Sequence, residues 1–203
     1  MKASIEAAAG RTVSRETLER LADYQHLLRS ESGRQNLVSR GTLDDLWSRH
    51  IVDSAQLARY EPSSGATWLD VGSGAGLPGI VLACIVEGPV ELVEPRKLRV
   101  EFLQTCVERL GLNARVLASK VERITGSYDI ITGRAVAPLP RFLSMCDHLS
   151  TRKTVWALPK GRTAQSELAE ARRSWQGDFR VEPSVTDAES KIIVGTQVRA
   201  GKR

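Results

Sequence analysis

Short apolar runs alternate with longer helical patterns over the part of the chain that follows Gly65. Between the runs, apolar residues recur at three- and four-residue spacing, most clearly from Arg96 to Leu110, which indicates amphipathic helices. This alternation predicts βαβ units around a mostly parallel sheet. Two further runs, 179–185 and 191–198, leave no room for a helix between them and predict an antiparallel pair that closes the sheet. We therefore expect an α/β fold with a seven-stranded sheet and an antiparallel last strand, whose five parallel strands fall at 67–71, 90–94, 114–118, 128–132 and 154–158.

The first part of the chain has a different pattern. Residues 15–30 and 42–60 carry apolar side chains at helical spacing, and each stretch predicts one amphipathic helix. The sequence Pro62–Gly65 then breaks the pattern and is typical of a linker. These features predict a helical extension over residues 1–64 and one compact domain over residues 65–203.

Several classes of protein are disfavoured by composition. No apolar run approaches the roughly 20 residues of a membrane helix, and the N-terminus lacks the apolar core of a signal peptide. Cys84, Cys106 and Cys146 lie far apart without metal-ligand spacing, so we expect buried, reduced thiols and no metal site. The formal net charge of +5 belongs entirely to residues 65–203, because residues 1–64 hold nine basic and nine acidic side chains. The sequence thus indicates a cytoplasmic protein whose main domain attracts polyanions.

A glycine-rich loop, Asp70–Gly79, connects a predicted strand to a predicted helix. Glycines in that context let the backbone approach a ligand closely. Counted from Gly72, the loop has the pattern G-x-G-x-G, with Gly74 and Gly76 as its other glycines and Leu77 where a dinucleotide fingerprint needs a third glycine. Counted from Gly74 the spacing G-x-G-x-x-G does occur, so the spacing leaves both kinds of ligand open.

An acidic residue supports an adenosine ligand. Glu94 ends the next predicted strand, 22 residues after Gly72, where a carboxylate can accept hydrogen bonds from both ribose hydroxyls. That position serves NAD and S-adenosylmethionine equally well. Two classes of enzyme therefore stay open at this point, a methyltransferase that uses S-adenosylmethionine and an NAD(P)-dependent oxidoreductase.

The segment after the fourth parallel strand bears on the acceptor atom. The strand continues into Gly133–Pro138, which contains neither the Asn/Asp-Pro-Pro-aromatic motif of amine methyltransferases nor the cysteine nucleophile of cytosine-carbon methyltransferases. This absence permits an acceptor that needs no deprotonation, such as guanine N7, whose lone pair is free. Catalysis would then depend on alignment of the reacting atoms, and no general base is assigned.

Six segments together resemble the RsmG (GidB) family of bacterial methyltransferases, which form 7-methylguanosine in the decoding-region loop of 16S rRNA. They run in order along roughly residues 15–195, and their combination is more specific than the glycine loop alone. The only departures are mild, such as Ala75 where the family frequently has proline. The six segments are Asn36–Ser39, Arg49–Ser54, Asp70–Ile80, Ser119–Glu122, Gly133–Ala135 and Lys160–Gly161.

The resemblance implies a Rossmann-like class I methyltransferase fold, S-adenosylmethionine as the cofactor, and 16S rRNA in the small ribosomal subunit as the partner. It places Glu94 at the ribose and Glu122 near the adenine. Arg134 would meet the methionine carboxylate or help to place the guanine, and the sequence does not choose between these roles. We expect a monomer. The cofactor contacts that the resemblance implies are Gly72, Leu77, Val121, Glu122 and Arg134.

A few polar residues allow two interpretations. His50 and Asp53 share a helix face. They either edge the cofactor cleft or receive RNA, or they form a structural hydrogen-bonded pair that joins this helix to the main domain. Lys160, after the fifth strand, is predicted to hold an RNA phosphate, whereas Arg162 is interpreted as solvated charge. A non-catalytic RNA-binding or assembly protein with the same fold is the third functional alternative.

Overall fold

The computed structural model describes residues 1–201, without the side chains of residues 40, 42 and 43, so the predicted main domain extends two residues beyond the described part. The chain begins with α1 (Lys2–Ala9), which the sequence did not predict, and α2 (Arg15–Glu31). The helix predicted over 42–60 is instead a series of short turns, and side chains of this segment form tertiary hydrogen bonds to residues 184–186. These turns are a 3-10 turn Arg40–Asp45, a π-helical turn Trp47–Val52, α3 (Asp53–Ala55) and a 3-10 turn Gln56–Tyr60.

Seven strands form one sheet in the order β3-β2-β1-β4-β5-β7-β6. The first five are parallel, and β7 runs antiparallel to both of its neighbours, as predicted. The strand order reverses between β1 and β4, and ligands bind beyond the carboxyl ends of strands at such a switch point. The strands are β1 (Trp68–Val71), β2 (Val90–Val93), β3 (Ala114–Leu117), β4 (Ile130–Thr132), β5 (Val155–Lys160), β6 (Trp175–Pro183) and β7 (Lys191–Ala200).

Helices cover both faces of the sheet. One face packs against α4 (Gly79–Ile85), α5 (Lys97–Leu110) and the N-terminal helices, which share a single apolar core with it. The other face packs against α6 (Leu139–Cys146) and α7 (Ala164–Ala171). The three cysteines are buried free thiols, as expected. Within residues 1–201, the helices are all too short or too polar to cross a membrane.

Candidate cofactor and substrate cavities

The glycine loop leaves the carboxyl end of β1 and is fixed by hydrogen bonds to β2 and to α2. The Ser73 backbone N–H donates to the Val93 carbonyl at 3.0 Å, which ties the loop to β2. The hydroxyl of Tyr24, fully buried on α2, donates to the Ala75 carbonyl at 2.9 Å. The N-terminal helices therefore hold the loop that the sequence predicts to bind the cofactor.

Asp70 is fully buried beneath this loop. Its Oδ2 accepts a hydrogen bond from the Gly79 backbone N–H at 3.1 Å, whereas its Oδ1 has no partner among the described residues. Burial raises the pKa of the carboxyl from 3.8 to about 7, although hydrogen bonds from Ser73 and Gly79 and the charge of Arg134 act in the opposite direction. Gly79 leaves no room for a side chain, since a Cβ there would lie 2.5 Å from Oδ2.

We expect the Asp70→Asn variant to lose a pH dependence of stability that the wild type has. A carboxyl whose pKa rises on folding stabilises the protein fully below its unfolded pKa, and this stability is lost as the pH rises through about 7. The difference in unfolding free energy, wild type minus variant, should therefore fall by about 2–3 kcal/mol between about pH 5 and 8. Urea unfolding at intervals across this range measures it.

The matched control for this experiment is Asp129→Asn. Hydrogen bonds from the backbone and side chain of Thr67 lower the pKa of that carboxyl, so the stability that it contributes is present at neutral pH and is lost only in acid. The difference in unfolding free energy between wild type and Asp129→Asn should therefore stay constant between about pH 5 and 8. His50, whose pKa is lowered on folding, gives a pH dependence of opposite sign that cancels when wild type and variant are subtracted. Parallel profiles for wild type and Asp70→Asn would contradict the assignment.

A cavity of about 510 Å³ opens beyond the carboxyl ends of β1 and β2. Glu94 lies in its lining and is only 3% exposed, with Oε2 accepting from the Gly74 N–H at 3.1 Å and Oε1 from the Arg96 N–H at 2.9 Å. Four of the predicted cofactor residues line this cavity: Gly72, Glu94, Val121 and Glu122. The rest of the lining is Val71, Val93, Pro95, Arg96, Arg99, Lys120, Ala135, Val136, Arg141 and Met145.

The other predicted cofactor residues do not line this cavity. Gly74 and Gly76 shape the loop, both with positive φ, and Leu77 is buried in the apolar core. Arg134 lines a second cavity instead. Sequence reasoning missed Arg96, which follows Glu94 by two positions, and the other cations of the lining, because isolated basic residues resemble ordinary surface charge.

The second cavity, of about 470 Å³, adjoins the first. The two share Ala135 and Val136, so the segment after β4 forms the wall between them. Ala135 has φ of 57°, a left-handed conformation that is uncommon outside glycine and is concentrated at functional sites. Arg134, Asp53 and Lys160 also line this second cavity.

Arg134 joins the second cavity to the N-terminal segment. Its Nη1 donates to Nδ1 of His50 at 3.2 Å and lies 3.7 Å from Oδ2 of Asp53. Burial and the neighbouring guanidinium lower the pKa of His50 to about 4, so the ring is neutral near pH 7. His50 lies in the π-helical turn, and such turns frequently occur at functional sites.

Asp53 is the point where three segments meet. Its Oδ1 accepts hydrogen bonds from Gln56 at 2.8 Å, Thr186 at 2.7 Å and Ser184 at 3.3 Å, and its Oδ2 faces Arg134. The helical segment is therefore joined both to the loop between β6 and β7 and to the segment after β4. These contacts support the structural interpretation of Asp53, while the direct contact of His50 with RNA stays a prediction.

Lys160 ends β5 with its side chain only 11% exposed. Its ε-ammonium donates to the Ala137 carbonyl at 2.8 Å and lies 2.8 Å from Oε2 of Glu167. Burial raises the pKa of Glu167, but hydrogen bonds from Lys160, Thr163 and Leu139 outweigh it and leave the pKa below its usual value. The Lys160 ammonium therefore stabilises the segment after β4, which separates the two cavities. Its contact with an RNA phosphate stays a prediction.

The comparison of this chain with known proteins decides the family. The family described as rRNA small subunit methyltransferase G (GidB) matches residues 17–193. The chain belongs to this family. It is 46% identical over 200 residues to the Ribosomal RNA small subunit methyltransferase G of Zymomonas mobilis, covering 94% of this chain and 90% of that protein. The protein of the same name from Novosphingobium aromaticivorans is 48% identical, covering 92% and 83%.

Solved structures show the same fold at low sequence identity. A SAM dependent methyltransferase from Aquifex aeolicus superimposes with a TM-score of 0.59 at 19% identity, covering 75% of this chain and 92% of that one. A ribosomal protein L11 methylase from Lactobacillus delbrueckii gives a TM-score of 0.60 at 13% identity, covering 73% and 78%. The predicted Rossmann-like methyltransferase fold is confirmed.

Family membership also resolves the ambiguity of the glycine spacing. Gly79 has the role of the third glycine in a dinucleotide fingerprint, since a Cβ there would lie 2.2 Å from Cδ2 of Leu92 on the neighbouring strand. Loop spacing and helix packing alone therefore fit either cofactor. The family confirms the methyltransferase prediction.

Proposed function

We propose that the protein transfers a methyl group from S-adenosylmethionine to N7 of a guanine in 16S rRNA, acting as a monomer in the bacterial cytoplasm. Family membership supports the methyltransferase activity and the rRNA substrate. The structural observation that carries the proposal is the pair of adjoining cavities at the switch point of the sheet, separated by Ala135 and Val136. One cavity is suited to the cofactor and the other to the base.

The residues of the first cavity fit the cofactor. Gly72 has φ of 67° and no side chain, and a Cβ there would lie 2.9 Å from Val136 Cγ2. Glu94 offers a buried carboxylate whose oxygens have further lone pairs for ribose hydroxyls. We assign Gly72, Glu94, Val121 and Glu122 to the binding of the cofactor.

The second cavity provides groups that can orient a base. S-adenosylmethionine, when bound, supplies an electrophilic methyl group on a sulfonium. Arg134 presents a guanidinium, held by His50 and Asp53, that can donate a hydrogen bond to O6 of guanine and leave the N7 lone pair free to react. Because the N7 lone pair needs no proton removed, these residues contribute by alignment and no general base is required.

Transfer of radiolabel from S-adenosylmethionine to 16S rRNA tests the proposed function. Small subunits from a strain that lacks this protein are the substrate, and 23S rRNA is the control. We expect label in 16S rRNA only, and borohydride–aniline treatment should then cleave the strand at one guanosine, because 7-methylguanosine is labile to it. Label without cleavage would place the methyl group on another atom. An absence of label would favour a non-catalytic RNA-binding protein and overturn the proposal.

A further inference from the structure

Three cationic side chains surround the mouth of the cofactor cavity. Arg96 precedes α5, Lys120 precedes the 3-10 turn Val121–Arg123, and Arg141 lies in α6. All three residues are exposed and line the cavity. Over residues 1–201, none of the three side chains has a recorded ion pair or hydrogen bond, unlike Arg99, whose Nη1 lies 3.8 Å from Glu94 Oε2.

The charge of this lining does not match the charge of the cofactor. The lining contains four cationic side chains and two carboxylates, so positive charge is in excess. S-adenosylmethionine itself carries a net positive charge, since its sulfonium and ammonium groups outnumber its carboxylate. Bound S-adenosylmethionine would therefore leave the excess positive charge unneutralised, and exposed cations of this kind attract an anionic partner.

We propose that Arg96, Lys120 and Arg141 bind phosphates of the rRNA strand next to the target guanine, an inference that rests on the proposed function. Guanidinium groups match phosphate geometry with two parallel hydrogen bonds, and lysine binds phosphate as a point charge. Because the three side chains are exposed and not already paired within the described chain, RNA can bind without breaking an internal ion pair.

The backbone places these cations at the cavity edge. Glu94 Oε1 accepts from the Arg96 N–H at 2.9 Å, so the carboxylate assigned to the ribose also fixes the start of α5. Lys120 comes directly before Val121 and Glu122, which line the same cavity. The neighbouring cation Lys97 differs, since it is absent from the lining and lies 3.9 Å from Glu101 on its own helix. The three cations therefore form a rim around the mouth.

Salt dependence of methylation tests the rim. The variants are Arg96→Gln, Lys120→Gln, Arg141→Gln and the triple variant, with Lys97→Gln and Arg173→Gln as controls that remove a charge away from both cavities. We expect each rim variant to raise KM for the RNA several-fold. Each should also reduce the slope of log kcat/KM against log salt by about 0.7–0.9, and the triple variant by about 2–3. The kcat and the Kd for S-adenosylmethionine should stay as in the wild type.

The outcomes separate this inference from the proposed function. If the wild type methylates 16S rRNA but the triple variant keeps the wild-type salt slope, the rim does not bind RNA and the function stands. Weaker cofactor binding with an unchanged slope would assign the rim to the cofactor and overturn the inference. If Lys97→Gln and Arg173→Gln reduced the salt slope as much as the rim variants, the effect would come from the net charge of the whole protein. That result would also overturn the inference. A wild type that does not methylate refutes the proposed function itself.

Discussion

The Gly72→Asp variant should bind S-adenosylmethionine at least about 100-fold more weakly than the wild type, a loss of about 2.7 kcal/mol. Gly72 lines the cofactor cavity and has φ of 67°, and a Cβ there would lie 2.9 Å from Val136 Cγ2. The aspartate would therefore introduce bulk and a negative charge where the backbone must approach the ligand. Isothermal titration calorimetry measures the affinity, and circular dichroism shows whether the fold is retained.

The matched control is Gly111→Asp. Gly111 ends α5 with φ of 58° and has open space around the position of a Cβ. The control therefore carries the same charge and a similar backbone cost, about 1–2 kcal/mol, without touching the cavity. We expect it to bind the cofactor as the wild type does. If Gly72→Asp also keeps wild-type affinity, the glycine loop is not the cofactor site.

The strands and helices of the sheet domain were predictable because each one is encoded by the residues within it. Each strand is a short apolar run, and each covering helix has apolar residues at helical spacing. The sequence of residues 65–200 therefore shows the order in which strands and helices follow one another. The last two strands were predictable as an antiparallel pair, but their order was not, because either strand of such a pair could lie next to β5. The glycine loop and Glu94 were predictable, since both follow strand ends.

The helical extension was predicted less well because tertiary contacts decide its form. The π-helical turn and the 3-10 turns around Asp53 accompany hydrogen bonds to Ser184 and Thr186, more than 130 residues further along the chain. The short helix α1 was missed because its few apolar residues, Ile5, Ala8 and Ala9, are buried against a segment that the sequence alone cannot place.

Two features of the site could not be recognised from the sequence. The Arg134 contact with His50 joins residues 84 positions apart, and nothing in the local sequence of either residue signals it. The rim cations look like ordinary surface charge until the fold brings them to one cavity. Lys160 shows the reverse case, because a position that suggested a free phosphate ligand holds an ammonium already paired with Glu167.

The Arg134→Met variant should lower kcat/KM for 16S rRNA about 100-fold or more, while its Kd for S-adenosylmethionine changes less than about tenfold. The sequence left two roles open for this guanidinium, the methionine carboxylate or the guanine. Arg134 lines the second cavity and is absent from the lining of the first, which favours the guanine. Arg162→Met is the control, since that exposed guanidinium pairs with Glu189 and should change turnover less than about twofold.

A second measurement on Arg134→Met is independent of activity. The pKa of His50 is lowered to about 4 first by burial and next by the charge of Arg134. Removing the guanidinium should therefore raise the pKa of His50 toward the ordinary value of 6.5, although burial still opposes protonation. An NMR titration of the His50 ring measures this shift. A raised pKa together with weakened cofactor binding and unchanged RNA turnover would assign Arg134 to the methionine carboxylate. An unchanged pKa would contradict the contact between Arg134 and His50 from which this role is argued.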